Sequence, residues 1–293
     1  MTPATVATSV LIRTIGRPEL LRSCLASLTQ CDPPPDEIVV VDQSRSDAVV
    51  DVVAEFARSG ARCVSCPERG TSLAFNVGLR AAAHDTVLVT DDDCTVAPDW
   101  IAEGRAQLAA DRTAIVTGRV LPAGDPEHVP STIDDPEPHD YTGEYRYNAL
   151  YTNNMVCSRC ELVAFGGFDE RFRVTGEDND LCYRWLTAGR ALRYEPSLVV
   201  WHHDWRTPHE LERLYVQYGV ADGMLYAKFL LQRDWRAARQ LRRHLREGFR
   251  GLGARLVRGR ARAPDWRQGI LRGLPVGLIR GFVVFRAEAR RRG

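Results

Sequence analysis

Lysine is almost missing from this 293-residue chain, with Lys228 the only one. Long apolar runs are missing as well. No uninterrupted run of about eighteen or more apolar residues occurs, so a helix spanning a bilayer is not expected. Nor does a basic n-region followed by an apolar h-region stand at the start, which argues against a secretory signal and for a cytoplasmic location. No solenoid-type repeat is present. The two CxxC pairs, Cys63/Cys66 and Cys157/Cys160, lack the Gly-rich knuckle that frames a zinc ribbon. Without that frame, the four cysteines read as reduced core thiols rather than as a structural zinc site.

What is present is a globular composition, 44% hydrophobic and 26% charged, long enough for one α/β domain with an appendage. The net charge of +1 hides a strong asymmetry. From Gln232 onward eighteen arginines stand against four acids, Asp234, Glu247, Asp265 and Glu288. The tail therefore carries about +14 and the rest about −13. A bias toward arginine can follow from genome composition, but its segregation along the chain does not. An acidic body with a basic tail points to an anionic partner: a phospholipid surface, nucleic acid or an acidic protein.

The first half alternates strands and helices. Residues 6–13 are β-branched, and Arg17-Pro18 opens a helix with Leu21, Leu25 and Leu28 at helical spacing. The run EIVVVD (37–42) reads as a strand buried on both faces. A helix over 47–58, a strand over 61–66, a helix over 71–83 and a strand over 86–90 follow, the last running into Asp91-Asp92-Asp93. Such βαβ units predict a mostly parallel sheet flanked by helices, whose ligand crevice lies outside the strands' carboxyl ends. Asp42 and the triplet share that edge. Beyond them come a helix from Pro98, a strand over 113–121 and an irregular stretch over 122–148, of the kind that forms a loop or lid. Extended structure over 151–157, a Gly-Gly turn at 166–170, a helix over 177–187 and a strand over 192–201 complete a domain of residues 1–207. Residues 208–293 read as an Arg-rich helical extension: a helix over 209–231, a second from Trp235 with Ala238, Leu241, Leu245, Phe249, Leu252 and Leu256 on one stripe, and an apolar segment over 270–285 broken by Arg272, Pro275 and Arg280.

Three consecutive aspartates at the end of a buried strand repel one another, and a hard divalent cation, Mn2+ or Mg2+, is their usual neutraliser. In extended chain Asp91 and Asp93 share a side while Asp92 points away. A second acidic cluster, Glu177-Asp178-Asn179-Asp180, opens a helix. Asp178 and Asp180 there lie about 200° apart, so one is open to proton transfer and the other to a structural or acceptor contact. His202 and His203 end a strand on opposite sides, so at most one ligates a metal.

The chain resembles family 2 glycosyltransferases of the GT-A fold. The carriers are VLIRTIGRP (10–18), VVVDQS (39–44), RGTSLAFNVGLRAA (69–82), VTDDDCTVAPDW (89–100), TNNM (152–155), GGFDE (166–170), GEDNDLCYR (176–184) and the histidine at 202, spread over residues 6–228. The resemblance implies a Rossmann-like GT-A domain and an inverting, metal-dependent hexosyl transfer from a nucleotide-diphosphate sugar to a hydroxyl of a glycan, lipid-linked or small-molecule acceptor, as in building cell-envelope polysaccharide. It implies that Thr14 and Asp42 hold the nucleotide, that Asp91 and Asp92 lie near the ribose and sugar, and that Asn76 lines the donor side. Asp93 and His202 would hold the cation, with His203 as the fallback ligand. Asp178 would be the catalytic base, with Asn154, Glu177 and Asp180 on the acceptor side. Three positions depart from the family pattern: Arg13 for a frequent proline, Gln43 for a frequent Asp, Asn or Gly, and Phe75 where an arginine often precedes Asn76.

Two other readings share part of this pattern. A sugar-phosphate nucleotidyltransferase would carry a Gly-rich basic loop after the first strand, where residues 13–18 hold one glycine. A non-catalytic binding module with its tail on nucleic acid leaves the carboxylates unexplained, and the tail has no nucleic-acid motif, so none is expected as a partner. Amphipathic arginine-rich helices instead suggest peripheral attachment to anionic lipid on the inner face of the cell membrane, with a solvated helical cap as the alternative.

Overall fold

The computed structural model describes residues 6–44, 47–258 and 266–292, and the chain divides into two units. One comprises the chain up to Gly124 with Ser131–Arg173 and Glu177–His203; the other comprises Asp125–Pro130, Val174–Gly176 and the chain from Asp204 onward.

The first unit opens with β1 (Thr8–Thr14), α1 (Pro18–Thr29), β2 (Glu37–Asp42), α2 (Asp47–Glu55), β3 (Ala61–Ser65), α3 (Thr71–Ala81) and β4 (Thr86–Asp91). These strands lie parallel in the order β3-β2-β1-β4. Period-two side-chain alternation sends successive residues to opposite helical layers. Val10, Ile12, Ile38, Val40 and Leu88 pack with Leu21, Leu25 and Leu28 of α1 and with Val49, Val52 and Val53 of α2. Leu11, Val39, Val41, Val87 and Val89 pack with Ala74, Phe75 and Leu79 of α3. β1, β2 and β4 are buried on both faces because both faces carry helices, which is why they read as continuous apolar runs.

Past β4 the sheet changes character. The chain continues through β5 (Cys94–Val96), α4 (Trp100–Ala110), β6 (Ile115–Ala123), β7 (His139–Tyr141), β8 (Asn154–Ser158), α5 (Arg159–Ala164), α6 (Glu177–Thr187) and β9 (Leu192–His203). β8 runs antiparallel to both β4 and β6, β6 is parallel to β9, and β5 and β7 lie antiparallel along β9. Parallel pairing therefore belongs to the first four strands and to β6–β9. The β6–β9 register shifts at Gly118/Arg119, where a Cβ on Gly118 would stand 2.3 Å from the Leu198 carbonyl oxygen. Only glycine permits that approach. The 122–148 stretch is partly tied to the sheet: Ile133 bridges Val120, β7 pairs with β9, and the Tyr194 hydroxyl donates to the Asp135 carbonyl at 2.7 Å.

The second unit contains α7 (Pro208–Leu231), α8 (Arg236–Arg258) and α9 (Trp266–Arg292). A capping box starts α7, with the Thr207 hydroxyl accepting from the Glu210 amide and the Glu210 carboxylate accepting from the Thr207 amide. Such reciprocal caps satisfy two of the helix's orphan N–H groups. α9 continues through Pro275, so the apolar segment that reads as broken in sequence is helical. Between α7 and α8 the Tyr226 hydroxyl lies 2.7 Å from His244 Nδ1, and Asp222 lies 3.4 Å from the same ring nitrogen. Lys228 is buried, with its ammonium over the rings of Phe229 and Phe285. Leu252 and Leu256, assigned to the α8 stripe from spacing, have side chains outside the described residues.

Candidate active site

The carboxyl ends of β1, β2 and β4 lie side by side, with Thr14 in register with Asp42 and Arg13 in register with Asp91. Asp42 is buried and accepts from the Ser44 amide at 2.8 Å and the Ser44 hydroxyl at 2.6 Å. Beside it is a cleft of about 410 Å3 lined by Gln43, Ser44, Pro67, Glu68 and Arg69. Gln43 shapes that cleft by donating from its amide nitrogen to the carbonyls of Glu68 and Gly70 at 2.6 and 3.2 Å.

The aspartate triplet splits into three roles. Asp91 is half-buried and pairs with Arg13 at 3.1 Å, while its Oδ1 has no hydrogen-bond partner among the described residues. Asp92 is 0% exposed. It accepts from the Thr14 hydroxyl at 2.6 Å and from Arg17 Nε at 3.0 Å, with Arg17 Nη2 on its other oxygen. Burial, reinforced by Asp93, lifts the Asp92 carboxyl to about 6 against the pull of Arg17. Asp93 is buried and accepts from Arg17 Nη1 at 3.0 Å. Asp92, expected with Asp91 near the ribose and sugar, has its carboxylate enclosed by Thr14 and Arg17.

β5, too short to read from sequence, sets the other half of the site. Its pairing with β9 puts Cys94 opposite His202, and the His203 amide donates to the Asp93 carbonyl at 2.9 Å. His202 Nε2 consequently lies 3.5 Å from Asp93 Oδ2, with both side chains buried. Among the described residues, Asp93, Cys94 and His202 hold ligating atoms within 4.8 Å of one another. Burial keeps the Cys94 thiol far from ionising, and a protonated thiol is a poor ligand for a hard cation. The carboxylate and the imidazole are the fitting donors for Mn2+ or Mg2+. His203 instead places its Nε2 3.0 Å from the Thr95 hydroxyl, with burial pushing its pKa down.

α6 brings the second acidic cluster. Its stripe of Leu181, Trp185 and Leu186 enters the core, and Glu177, one turn ahead of Leu181, is carried in with it. Burial, with Asp178 adding to it, pushes the Glu177 carboxyl up to about 8, although Arg13 pulls the other way. Its Oε2 has no hydrogen-bond partner among the described residues. Asp178 is half-buried and accepts from the Asn179 amide at 2.6 Å. Asp180 is fully buried and pairs with Arg184 at 2.7 Å. As the helical offset predicts, Asp178 and Asp180 differ in environment.

The two asparagines are committed within the protein. Asn154 is fully buried, donates to the carbonyls of Arg119 and Leu198 at 2.9 Å each, and accepts from the Trp100 indole at 2.9 Å. Asn76 donates to the Phe168 carbonyl at 2.8 Å and Glu170 at 2.9 Å, and accepts from the Phe168 amide at 2.9 Å. Both tie elements together. Asn153, passed over in the sequence, has a buried Oδ1 with no hydrogen-bond partner among the described residues.

Sequence reasoning also missed the cations. The Arg13 guanidinium lies 5.4 Å from the Phe75 ring centre. Burial weakens its charge, but Asp91, Glu177 and the rest of the triplet hold it firmly protonated. Two of the three departures from the family pattern thus touch each other, and Arg13 links the end of β4 electrostatically to the start of α6. The signal was the spacing of Arg13 and Arg17 across the strand end that faces the triplet.

The sequence pattern defining Glycosyl transferase family 2 matches residues 9–172. The chain belongs to that family. A pre-mycofactocin glycosyltransferase of Mycobacterium tuberculosis is 33% identical over 152 residues, covering 47% of this chain and 31% of that protein. The chain thus spans about a third of that relative's length. Among solved structures, a mannosyltransferase from Pyrobaculum calidifontis with GDP-Man and Mn2+ superposes with a TM-score of 0.60 at 19% identity, covering 97% of this chain and 90% of that one. TarS from S. aureus with UDP-GlcNAc gives a TM-score of 0.58 at 15% identity, over 77% and 72% of the two chains. These likenesses establish the GT-A fold for this family 2 member.

Proposed function

We propose that this family 2 protein is an inverting glycosyltransferase that moves a hexosyl group from a nucleotide-diphosphate sugar to an acceptor hydroxyl on a glycan, a lipid-linked saccharide or a small molecule. The observation that carries the reading is the buried Asp93–His202 pair, 3.5 Å apart at the carboxyl end of β4. A carboxylate and an imidazole so placed fit Mn2+ or Mg2+, which when bound supplies positive charge to the diphosphate oxygens of the leaving group. The cleft beside Asp42, lined by Gln43 and Ser44, takes the nucleoside. Asp91, half-buried and steadied by Arg13, is the triplet carboxylate with surface to meet the ribose or sugar.

Asp178 is the base. Its carboxylate takes the proton from the acceptor hydroxyl as that oxygen bonds to the anomeric carbon from the face opposite the diphosphate. The bond from that carbon to the phosphate oxygen breaks and its electron pair leaves with the nucleotide diphosphate, so the configuration inverts. Positioning and electrostatics suffice, with no covalent enzyme intermediate. Glu177 lies beside the base on the acceptor side, and Asp180 holds α6 through Arg184.

UDP-GlcNAc and GDP-mannose, the donors held by two structural neighbours, are the first probes, incubated with Mn2+ while nucleotide-diphosphate release is followed. Asp178→Asn is expected to leave donor affinity within about twofold and to lower turnover at least about a hundredfold. Near-normal turnover in that variant overturns the assignment of the base. Pyrophosphate released from a nucleoside triphosphate and a sugar 1-phosphate, with no nucleotide diphosphate formed from the nucleotide sugars, would instead identify a nucleotidyltransferase.

A further inference from the structure

Within the second unit one side of α9 is fixed against α7 by glycines. Gly269, Gly273, Gly277 and Gly281 recur every fourth residue, and a Cβ would stand 2.1 Å from the Val216 carbonyl at Gly273 and 2.1 Å from the Val220 carbonyl at Gly277. Backbone against backbone leaves α9 no freedom to roll about its axis. The side opposite the buried Ile270, Leu274 and Phe285 is held outward, and it is apolar where water should favour polar groups: Val276 is 57% exposed, Ile279 69% and Val283 67%. At 100° per residue these three fall within about 60° of arc. Arg272, Arg280 and Arg286 are exposed on the same half of the helix. α8 repeats the chemistry, exposing Trp235 just ahead of it and Phe249 among Arg239, Arg242, Arg243 and Arg246.

We infer that the Val276–Ile279–Val283 face of α9 docks on an anionic phospholipid bilayer, lying in its interface. The aliphatic side chains enter the boundary between headgroups and acyl chains, while the arginines reach back to lipid phosphates along their own apolar stems. The charge of about +14 counted from Gln232 onward supplies the long-range attraction. No helix among the described residues is long and apolar enough to cross a membrane, so the attachment lies in the plane of the surface. A second copy of the chain is the poorer occupant, because two such strips face to face would bring Arg272, Arg280 and Arg286 of one copy toward those of the other. A nucleic acid would match the arginines and leave the aliphatic strip bare.

The test is co-sedimentation of the full chain with phosphatidylcholine vesicles, with and without about 30 mol % phosphatidylglycerol, at low and high salt. The protein is expected to pellet with the anionic vesicles, to stay in solution with the neutral ones, and to be released by salt. Ile279→Asp with Val283→Asp should weaken binding at least about tenfold while helical circular dichroism is unchanged. Arg280→Gln with Arg286→Gln, which keeps the strip, should weaken it and reduce its salt dependence. The proposal is overturned if wild type ignores anionic vesicles, binds neutral ones equally well, or binds no better than the strip variant. It is also overturned if the strip mediates a concentration-dependent dimer, by light scattering, that does not bind vesicles. None of these readouts depends on transferase activity, so the catalytic reading stands or falls separately.

Discussion

At Glu177 burial, joined by the charge of Asp178, outweighs the pull of Arg13. Its carboxyl, drawn inward on the stripe of Leu181 and Trp185, holds its proton up to about 8, against an ordinary value of 4.5. Between those values the native state keeps a proton that the unfolded chain has released. Stability from this group is therefore full below the ordinary value, falls as pH rises through the window, and levels off above about 8. Glu177→Gln, which stays neutral, is expected to flatten the decline in melting temperature over that window and to melt above wild type at its alkaline end. Equal slopes for the two proteins in pH-dependent thermal unfolding would place the titrating group elsewhere. The charged residues divide in legibility at this scale. The carboxylates at 91–93 and 178 stand out because acids clustered at strand and helix ends are conspicuous. Arg13 reads only as an oddity, since nothing local in sequence says that its guanidinium reaches Phe75 and Asp91 and acts electrostatically on Glu177. Glu177 was legible in principle, because it falls four residues before Leu181 on the buried stripe.

Among the elements, what the sequence reveals follows length and period. β1, β2 and β4 are long enough for their apolar runs to be read, and α1 announces itself with Pro18 and three leucines. β5 and β7 are three residues each, too short for any period, and their existence depends on β9 offering an edge. α9 was obscured by Pro275, which argues against a helix locally but is overridden by close packing on α7. That packing makes a prediction about two glycines that look alike in sequence. Gly277→Ala would drive a methyl group into the backbone of Val220, whereas Gly78→Ala meets the side-chain end of Leu11 at 2.0 Å. Backbone cannot swing aside, but a leucine terminus can partly repack. Gly277→Ala should therefore cost about 3 kcal/mol and Gly78→Ala about half as much. Chemical denaturation that ranks the two in the reverse order would contradict the backbone contact between α7 and α9.

The candidate site is assembled from positions far apart in the chain: 14, 42, 91–93, 178 and 202. The order of strands makes this possible, since three parallel strand ends lie side by side and β9 returns beside β5 to set His202 against Asp93. Sequence reasoning could list these residues, through strand-end placement and family resemblance. It could not show that Asp92 is enclosed, that Asn76 and Asn154 hold the scaffold, or that Arg17 clamps Asp92 and Asp93. Those depend on which way side chains turn once the layers are packed. Arg17 also bears on the proposed cation site, because its guanidinium lies 3.0 Å from Asp93 Oδ2 and a bound Mn2+ would have to share that oxygen with it. Mn2+ alone is then expected to bind weakly, gaining affinity when a nucleotide diphosphate brings further negative charge. Linkage requires the nucleotide to gain by the same factor. In thermal shift, Mn2+ with UDP or GDP should stabilise the protein by more than the sum of the two separately, approaching about 3 kcal/mol at a hundredfold excess over the dissociation constant. Asp93→Asn, and independently His202→Ala, should abolish the excess and leave the smaller metal-free nucleotide shift in place. Additive shifts in wild type, or an excess that survives both substitutions, would remove the cation from the Asp93–His202 pair.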